Sequence, residues 1–169
     1  PHGNRLSVTV EITADRPGSV EITLTSSALE EPAVRKADLI KGKNEIHFER
    51  LAVSRSVRRW DEYEGNLYEL TASLGEEEQK TVTFGVRDFG DNGKGRLALN
   101  GRTIFLRSEA NCAEFPETGY PPMTVEEWEK ILKLYQSYGI NCMRFHSHCP
   151  PEAAFTAADR LGMLMQPEL

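Results

Sequence analysis

The first half of the chain alternates. Leu6, Val8, Val10 and Ile12 are separated by Ser7, Thr9 and Glu11, and Val20, Ile22 and Leu24 by Glu21 and Thr23. A period of two with polar partners predicts strands with one buried and one wet face. The intervening "ADRPGS" has the composition of a turn. Further strands are predicted over 45–48, 67–74 and 81–87, the last two joined by the polar "LGEEEQK". "KGKNE" separates an apolar pair, Leu39 and Ile40, from the strand carrying Ile46 and Phe48. Short strands at this spacing, with no helix among them, predict a β-sandwich of about seven strands, immunoglobulin-like in size.

The second half changes period. "GRLALNGRTIFLRSEAN" predicts strands over 96–99 and 103–107 around Asn100-Gly101, a pair in which both residues tolerate positive φ. In "MTVEEWEKILKLYQSYG", Thr124 is an N-cap and Glu127 completes a capping box. Val125, Trp128, Ile131, Leu132, Tyr135 and Tyr138 fall on one helical face, and Gly139 ends the helix. "INCMRFH" is an apolar run with few charges, as a parallel strand buried on both faces requires. A second helix is expected from Pro150-Pro151 to Leu161, stopped by Gly162, and "MLMQ" is another short buried strand. Strand, helix, strand, helix, strand is the order of βαβ units on a parallel sheet. The expected division is residues 1–88 for the sandwich and 89–169 for the α/β part.

Charge and cysteine usage narrow the function classes. The net charge of −6 argues against a nucleic-acid partner, and the densest basic cluster, Arg55, Arg58 and Arg59, is flanked by Asp61 and Glu62. No apolar run is long enough to span a bilayer, and Pro1-His2-Gly3-Asn4 does not open a signal peptide. Cys112, Cys142 and Cys149 form no CxxC pair, so free thiols are expected rather than a metal site.

Several stretches together resemble glycoside hydrolase family 2, the family of β-galactosidases, β-glucuronidases and β-mannosidases. Trp60 followed by Asn66-Leu67-Tyr68 is similar to that family's late sandwich strands, and "FGVRDF", beginning at Phe84, to the sandwich exit. "LALNGRTIFLR" resembles the leader hairpin of the barrel, "YGINCMRFHSHCPP" its second strand, and "AADRLGMLMQPE" its third. The resemblance covers nearly the whole chain in the family's order. It implies an immunoglobulin-like sandwich followed by the opening βαβαβ portion of a (β/α)8 barrel. About three of the eight strands are in place, where a complete barrel takes about 250 residues. The expectation is therefore an excerpt of a longer enzyme with open sheet edges. There are departures. The region after the first barrel strand has Asn111 but no histidine, Arg144 and His148 are one residue further apart than usual, and the third strand ends Gln-Pro-Glu rather than Asp-Glu. These sit where a substrate pocket would be and argue against a plain β-galactosidase. The "FPETGYPP" loop is similar to divergent branches found in bacteria that digest complex polysaccharides, which implies a periplasmic or secreted parent.

Active sites of such barrels lie at the C-terminal ends of the strands. That assigns Asn111, Arg144, His146, His148 and Glu168 to substrate binding, with Cys112 and Glu114 close by. By resemblance, His148 contacts a substrate hydroxyl and Arg144 orients catalytic carboxylates. Beside three of them stands a structural reading: an ion pair for Arg144, a packed strand histidine bonded to backbone for His146 (the favoured one there), and a loop anchor rather than a pocket acid for Glu168. Trp60, Trp128 and Tyr135 read as core rather than sugar-stacking residues. The general acid/base and the nucleophile are expected beyond Leu169, so none of Glu109, Glu114, Glu117 or Glu168 is assigned a catalytic role. The expected parent is a retaining, exo-acting glycosidase on a carbohydrate substrate, with no cofactor and no nucleic-acid or membrane partner; no metal site is expected in this stretch, and the metal dependence of the parent is left open. The oligomeric state is left open, and this stretch alone is expected to be inactive. A non-catalytic glycan-binding or docking module, and a different barrel enzyme such as a lyase, are the competing readings.

Overall fold

The computed structural model describes residues 5–75 and 78–168. They fall into two compact units, Pro1–Arg58 with Tyr68–Val86, and Arg59–Leu67 with Arg87–Leu169.

The first unit is built from β1 (Arg5–Ala14), β2 (Gly18–Thr25), β3 (Ala33–Leu39), β4 (Gly42–Ala52), β5 (Leu67–Leu74) and β6 (Glu78–Gly85). β1 and β4 pair antiparallel in one sheet, and a second sheet has the order β3-β2-β5-β6. Ile22 and Leu24 of β2, Phe48 of β4 and Leu70 of β5 are buried in one cluster, with Val8, Val10 and Ile12 of β1 packed against it. Both sheets therefore turn their alternate residues to a shared core, and the unit is a β-sandwich. Six strands are present among the described residues, against the expected seven or so. β3 is unannounced in the sequence because most of it is exposed; only Leu39 is buried, so its residues show no alternation. The strand expected over 45–48 extends to the eleven residues of β4. Glu76 and Glu77 of the expected β5–β6 connection lie outside the described residues, as do Pro1-His2-Gly3-Asn4.

The second unit starts with a small antiparallel sheet of β7 (Phe89–Asp91), β8 (Leu97–Leu99) and β9 (Arg102–Thr103), in that order. Asn100 (φ 54°) and Gly101 (φ 81°) form the two-residue turn between β8 and β9. The Asn100 side chain also accepts from the Asp88 N–H at 3.0 Å and donates to the Trp60 carbonyl at 3.0 Å. The strand expected over 103–107 stops at Thr103 because its backbone turns to another partner. The buried Asn141 side chain accepts from Arg107 N–H at 2.9 Å and donates to Phe105 C=O at 3.1 Å.

Next come β10 (Ser108–Asn111), α1 (Val125–Ser137), β11 (Cys142–Phe145), α2 (Glu152–Leu161) and β12 (Leu164–Pro167). The three strands form a parallel sheet with β11 in the centre. Thr124 caps α1: its Oγ accepts from the Glu127 N–H, and its hydroxyl donates to the Glu127 carboxylate at 2.7 Å. Trp128 and Leu132 of α1 are fully buried with Met143, Phe145 and the small face of α2 formed by Ala154, Ala157 and Ala158. Tyr138, expected on the same face, is 78% exposed, because it is the C-cap and has left the helical spiral. Gly162, in the left-handed region, ends α2.

The segment 59–67 packs onto the end of α2. Trp60 is 2% exposed, donates its indole N–H to the Asp159 carbonyl at 2.7 Å, and has the Arg87 guanidinium 4.6 Å from its ring centre. Two glycines make this approach possible. A Cβ on Gly65 would overlap the Arg160 carbonyl oxygen, and one on Gly162 the Asp61 carbonyl oxygen. Gly162→Ala adds left-handed strain to that overlap, so the variant is expected to lose at least about 2 kcal/mol of stability, read as a lower urea midpoint. An unchanged midpoint would show that the segment and α2 separate at little cost.

Candidate functional site

Period two along β11 sends Met143 and Phe145 into the helix-side core and Cys142 and Arg144 to the opposite face. On that face Cys142 and Leu164 are covered by Trp60, Leu99 and Ile104. Arg144, one step nearer the C-terminal end, lies beside Ala110 and Gln166 in the parallel register. Its side chain remains 40% exposed.

The ends of the three strands are tied together by polar bonds. Arg144 Nε donates to Glu168 Oε1 at 2.7 Å, and the Ser147 backbone N–H donates to Glu168 Oε2 at 2.9 Å. The Glu168 N–H reaches back to the His148 carbonyl at 3.3 Å, and the His146 N–H donates to the Asn111 carbonyl at 2.9 Å. The Asn111 side chain accepts from Ala113 N–H at 3.1 Å, closing the start of the loop after β10. All five residues assigned to the site from sequence thus meet at one end of one sheet.

Their environments differ. His146 is exposed, with its Nδ1 3.9 Å from the Cys112 sulfur, so the favoured reading of a packed strand histidine is corrected. The cause is Ser147, at φ 60°, which turns the chain out of the strand direction immediately after His146. His148 is half-buried, edge-on to Phe145 with ring centres 5.4 Å apart, and its Nδ1 lies 3.2 Å from the His146 carbonyl. Cys112 and Glu114 are exposed in the loop that follows Asn111. Trp128 and Tyr135 belong to the helix-side core. The three cysteines are free thiols, and among the described residues no group of three or more His, Cys, Asp or Glu side chains is disposed to hold a metal ion.

Two carboxylates near the strand ends are held in opposite ways. The Ser147 N–H, and after it Arg144, keep the Glu168 carboxyl below its ordinary range. Glu109 lies beside Met143 in the register, on the helix side. One of its oxygens is buried without a hydrogen-bond partner among the described residues, and burial raises its pKa. Ser147 and Glu109 are the features that sequence reasoning missed. A backbone donor has no signature in residue type, and nothing in the residues around Glu109 marks its oxygen as unpartnered.

No family model matches the chain. An exo-β-D-glucosaminidase of Amycolatopsis orientalis is 25% identical over 178 residues, covering 96% of this chain and 16% of that protein. A β-galactosidase of Vibrio vulnificus is 25% identical over 170 residues, covering 94% of this chain and 16% of that protein. The chain therefore spans about a sixth of the length of these curated relatives. Among solved structures, a glycosyl hydrolase family 2 member from Bacteroides cellulosilyticus superposes with a TM-score of 0.82 at 20% identity, over 96% of this chain and 23% of that one.

The opposite settings of the two carboxylates give a signed expectation. Glu168 has a lowered folded-state pKa, so its contribution is present above the unfolded value and is lost as pH falls through the folded value. Glu109 has a raised one, so its ionised form opposes folding above the unfolded value and that penalty vanishes on acidification. At neutral pH, Glu168→Gln lowers the urea midpoint and Glu109→Gln raises it, and both differences shrink as the pH drops below the carboxylate range. Differences that persist in acid would show that the charges are not the cause.

In sequence and in fold, the chain resembles the enzymes of glycoside hydrolase family 2 along nearly all of its length.

Proposed function

We propose that this chain is the sandwich and the opening βαβαβ portion of the (β/α)8 barrel of a retaining, exo-acting glycoside hydrolase, and that it supplies one wall of the sugar pocket. The matched relatives are glycosidases, which supports a hydrolase as the longer protein. The observation that carries the reading is the convergence of Arg144, His146, His148, Glu168 and Asn111 at the C-terminal ends of three parallel strands. That is the end at which barrel enzymes bind their substrates.

The roles follow from what each group has left to offer. Glu168 has a donor on each oxygen, so it anchors rather than binds. Arg144 uses Nε for that pair, and its two terminal nitrogens are the donors that a sugar hydroxyl or a neighbouring carboxylate can take. His148 is held by its Nδ1 side and by Phe145, which leaves Nε2 as its ligand-facing atom. Hydrolysis with retention needs two further carboxylates about 5 Å apart, one protonating the leaving oxygen and the other forming the glycosyl-enzyme ester. In this reading both come from residues beyond Leu169, and the 169-residue stretch by itself is inactive.

The test is a panel of aryl glycosides offered to the protein read on past Leu169, beside the 169-residue chain. Hydrolysis by the longer protein and none by the chain is expected, and the panel names the sugar. A longer protein that binds glycans without cleaving them would replace this reading with the binding-module one. Within an active longer protein, His148→Ala should lower kcat/KM roughly ten- to a hundredfold, the loss of one hydrogen bond to a hydroxyl, with little change in melting temperature. If stability falls and turnover per folded molecule does not, His148 is structural.

A further inference from the structure

The stretch "FPETGYPP", residues 115–122, lies between β10 and α1, and no role given above uses it. Beyond Glu114 this connection is bonded along its length. The Phe115 carbonyl accepts from the Thr118 N–H at 3.3 Å and from the Gly119 N–H at 2.7 Å, and Gly119 takes the φ of 76° that turns the chain. The Thr118 hydroxyl donates to the Tyr120 carbonyl at 2.7 Å. Pro116, Pro121 and Pro122 each fix a backbone angle. The buried indole of Trp128 holds both ends of the stretch. Its N–H donates to the Pro122 carbonyl at 2.7 Å, and the Phe115 ring stands edge-on to it with centres 6.1 Å apart. Trp128 also meets Phe145 at 6.0 Å, and Phe145 meets His148 at 5.4 Å. One row of rings thus supports both His148 and this turn. On the turn, Tyr120 is 62% exposed. An exposed aromatic ring means little by itself. A ring whose backbone is already fixed loses little freedom on meeting a ligand, which makes it a good contact surface.

We infer that Tyr120 is a sugar-stacking residue on the leaving-group side of the pocket. This rests on the reading of the longer protein as an exo-acting glycosidase. In such an enzyme the terminal sugar sits against the strand ends, where Arg144 and His148 are, and the rest of the glycan leads away from them. The turn at residues 115–122 lies on that way out, between the end of β10 and the start of α1. The chemistry of the ring fits a sugar. An aromatic face packs against the C–H face of a pyranose, and the tyrosine hydroxyl at its edge stays among polar groups. A protein partner is a poorer fit. Met123, 64% exposed, is the other large apolar side chain on this connection. Two such side chains fall far short of the roughly 800 Å² per partner of a stable protein interface.

The test compares two substrates of the longer protein that share their terminal sugar. One is an oligosaccharide, with sugar rings on the leaving side; the other is the glycosyl fluoride, which has none. Tyr120→Ala is expected to lower kcat/KM on the oligosaccharide about tenfold, through KM, and to leave the fluoride unchanged. Tyr120→Phe keeps the ring and is expected to keep the original value. Activity is read per folded molecule, with melting temperatures alongside. No change on either substrate, an equal loss on both, or a Phe variant as poor as the Ala variant would each overturn the inference. A longer protein that cleaves neither substrate fails the hydrolase reading instead, and the glycan it binds then takes the substrate's place. A Kd about tenfold weaker in Tyr120→Ala and preserved in Tyr120→Phe upholds the stacking role. An unchanged Kd, or no glycan bound, overturns it.

Discussion

β11 is four residues long and pairs in parallel on both of its edges. A strand in that position must bury both faces, and it does so with Met143 and Phe145 toward the helices and Cys142 toward Trp60, Leu99 and Ile104. The register leaves no freedom. Sliding β11 by one residue would drive Arg144 into the cluster of Trp128, Leu132 and the α2 alanines, and expose Met143 and Phe145 in its place. The direction in which Arg144 points is thus set by apolar packing on the other side of the sheet.

The polar end of the sheet is built on that foundation. Glu168 follows β12, and both of its oxygens are engaged, one by a side chain of β11 and one by the backbone of the turn after β11. Ser147 holds that turn at φ 60°, which costs a non-glycine residue on the order of 1 kcal/mol. The hydrogen bond to Glu168 offsets the strain and projects His146 and His148 beyond the strand ends. Groups that must meet a ligand are better placed by strands and bonded turns than by loose loops. In the proposed pocket, Arg144 and His148 are the groups placed in that way. The loop after Asn111, with Cys112 and Glu114, is exposed and held mainly at its start.

Much of this was legible in the sequence, and what was not has physical causes. Both helices announce themselves by caps, Thr124 with Glu127 and the two stops Gly139 and Gly162, because caps are local hydrogen-bond and dihedral requirements written in single residues. The Asn100-Gly101 turn is legible for the same reason. β3 and β7 are not. β3 is mostly exposed and β7 wholly so, and an exposed strand carries no period-two signature. The length of the strand after Gly101 was overestimated because the competing partner, Asn141, lies more than thirty residues away in sequence. At the site, the residues could be named from resemblance, but their division of labour could not. That Glu168 is consumed as an anchor while His148 keeps a ring nitrogen to offer depends on Ser147 and Phe145, which no motif singles out.

The central claim is that the ends of β10, β11 and β12 form one wall of a sugar pocket. The most direct measurement is a titration of the longer protein with a non-hydrolysable sugar analogue, chosen by the substrate it cleaves, following the side-chain NMR signals of His148 and Arg144. The account predicts saturable shifts at both, lost in Glu168→Ala, with the helix-side residues Trp128 and Tyr135 unmoved. A longer protein that binds the analogue tightly while His148 and Arg144 stay unchanged would contradict it and move the pocket elsewhere.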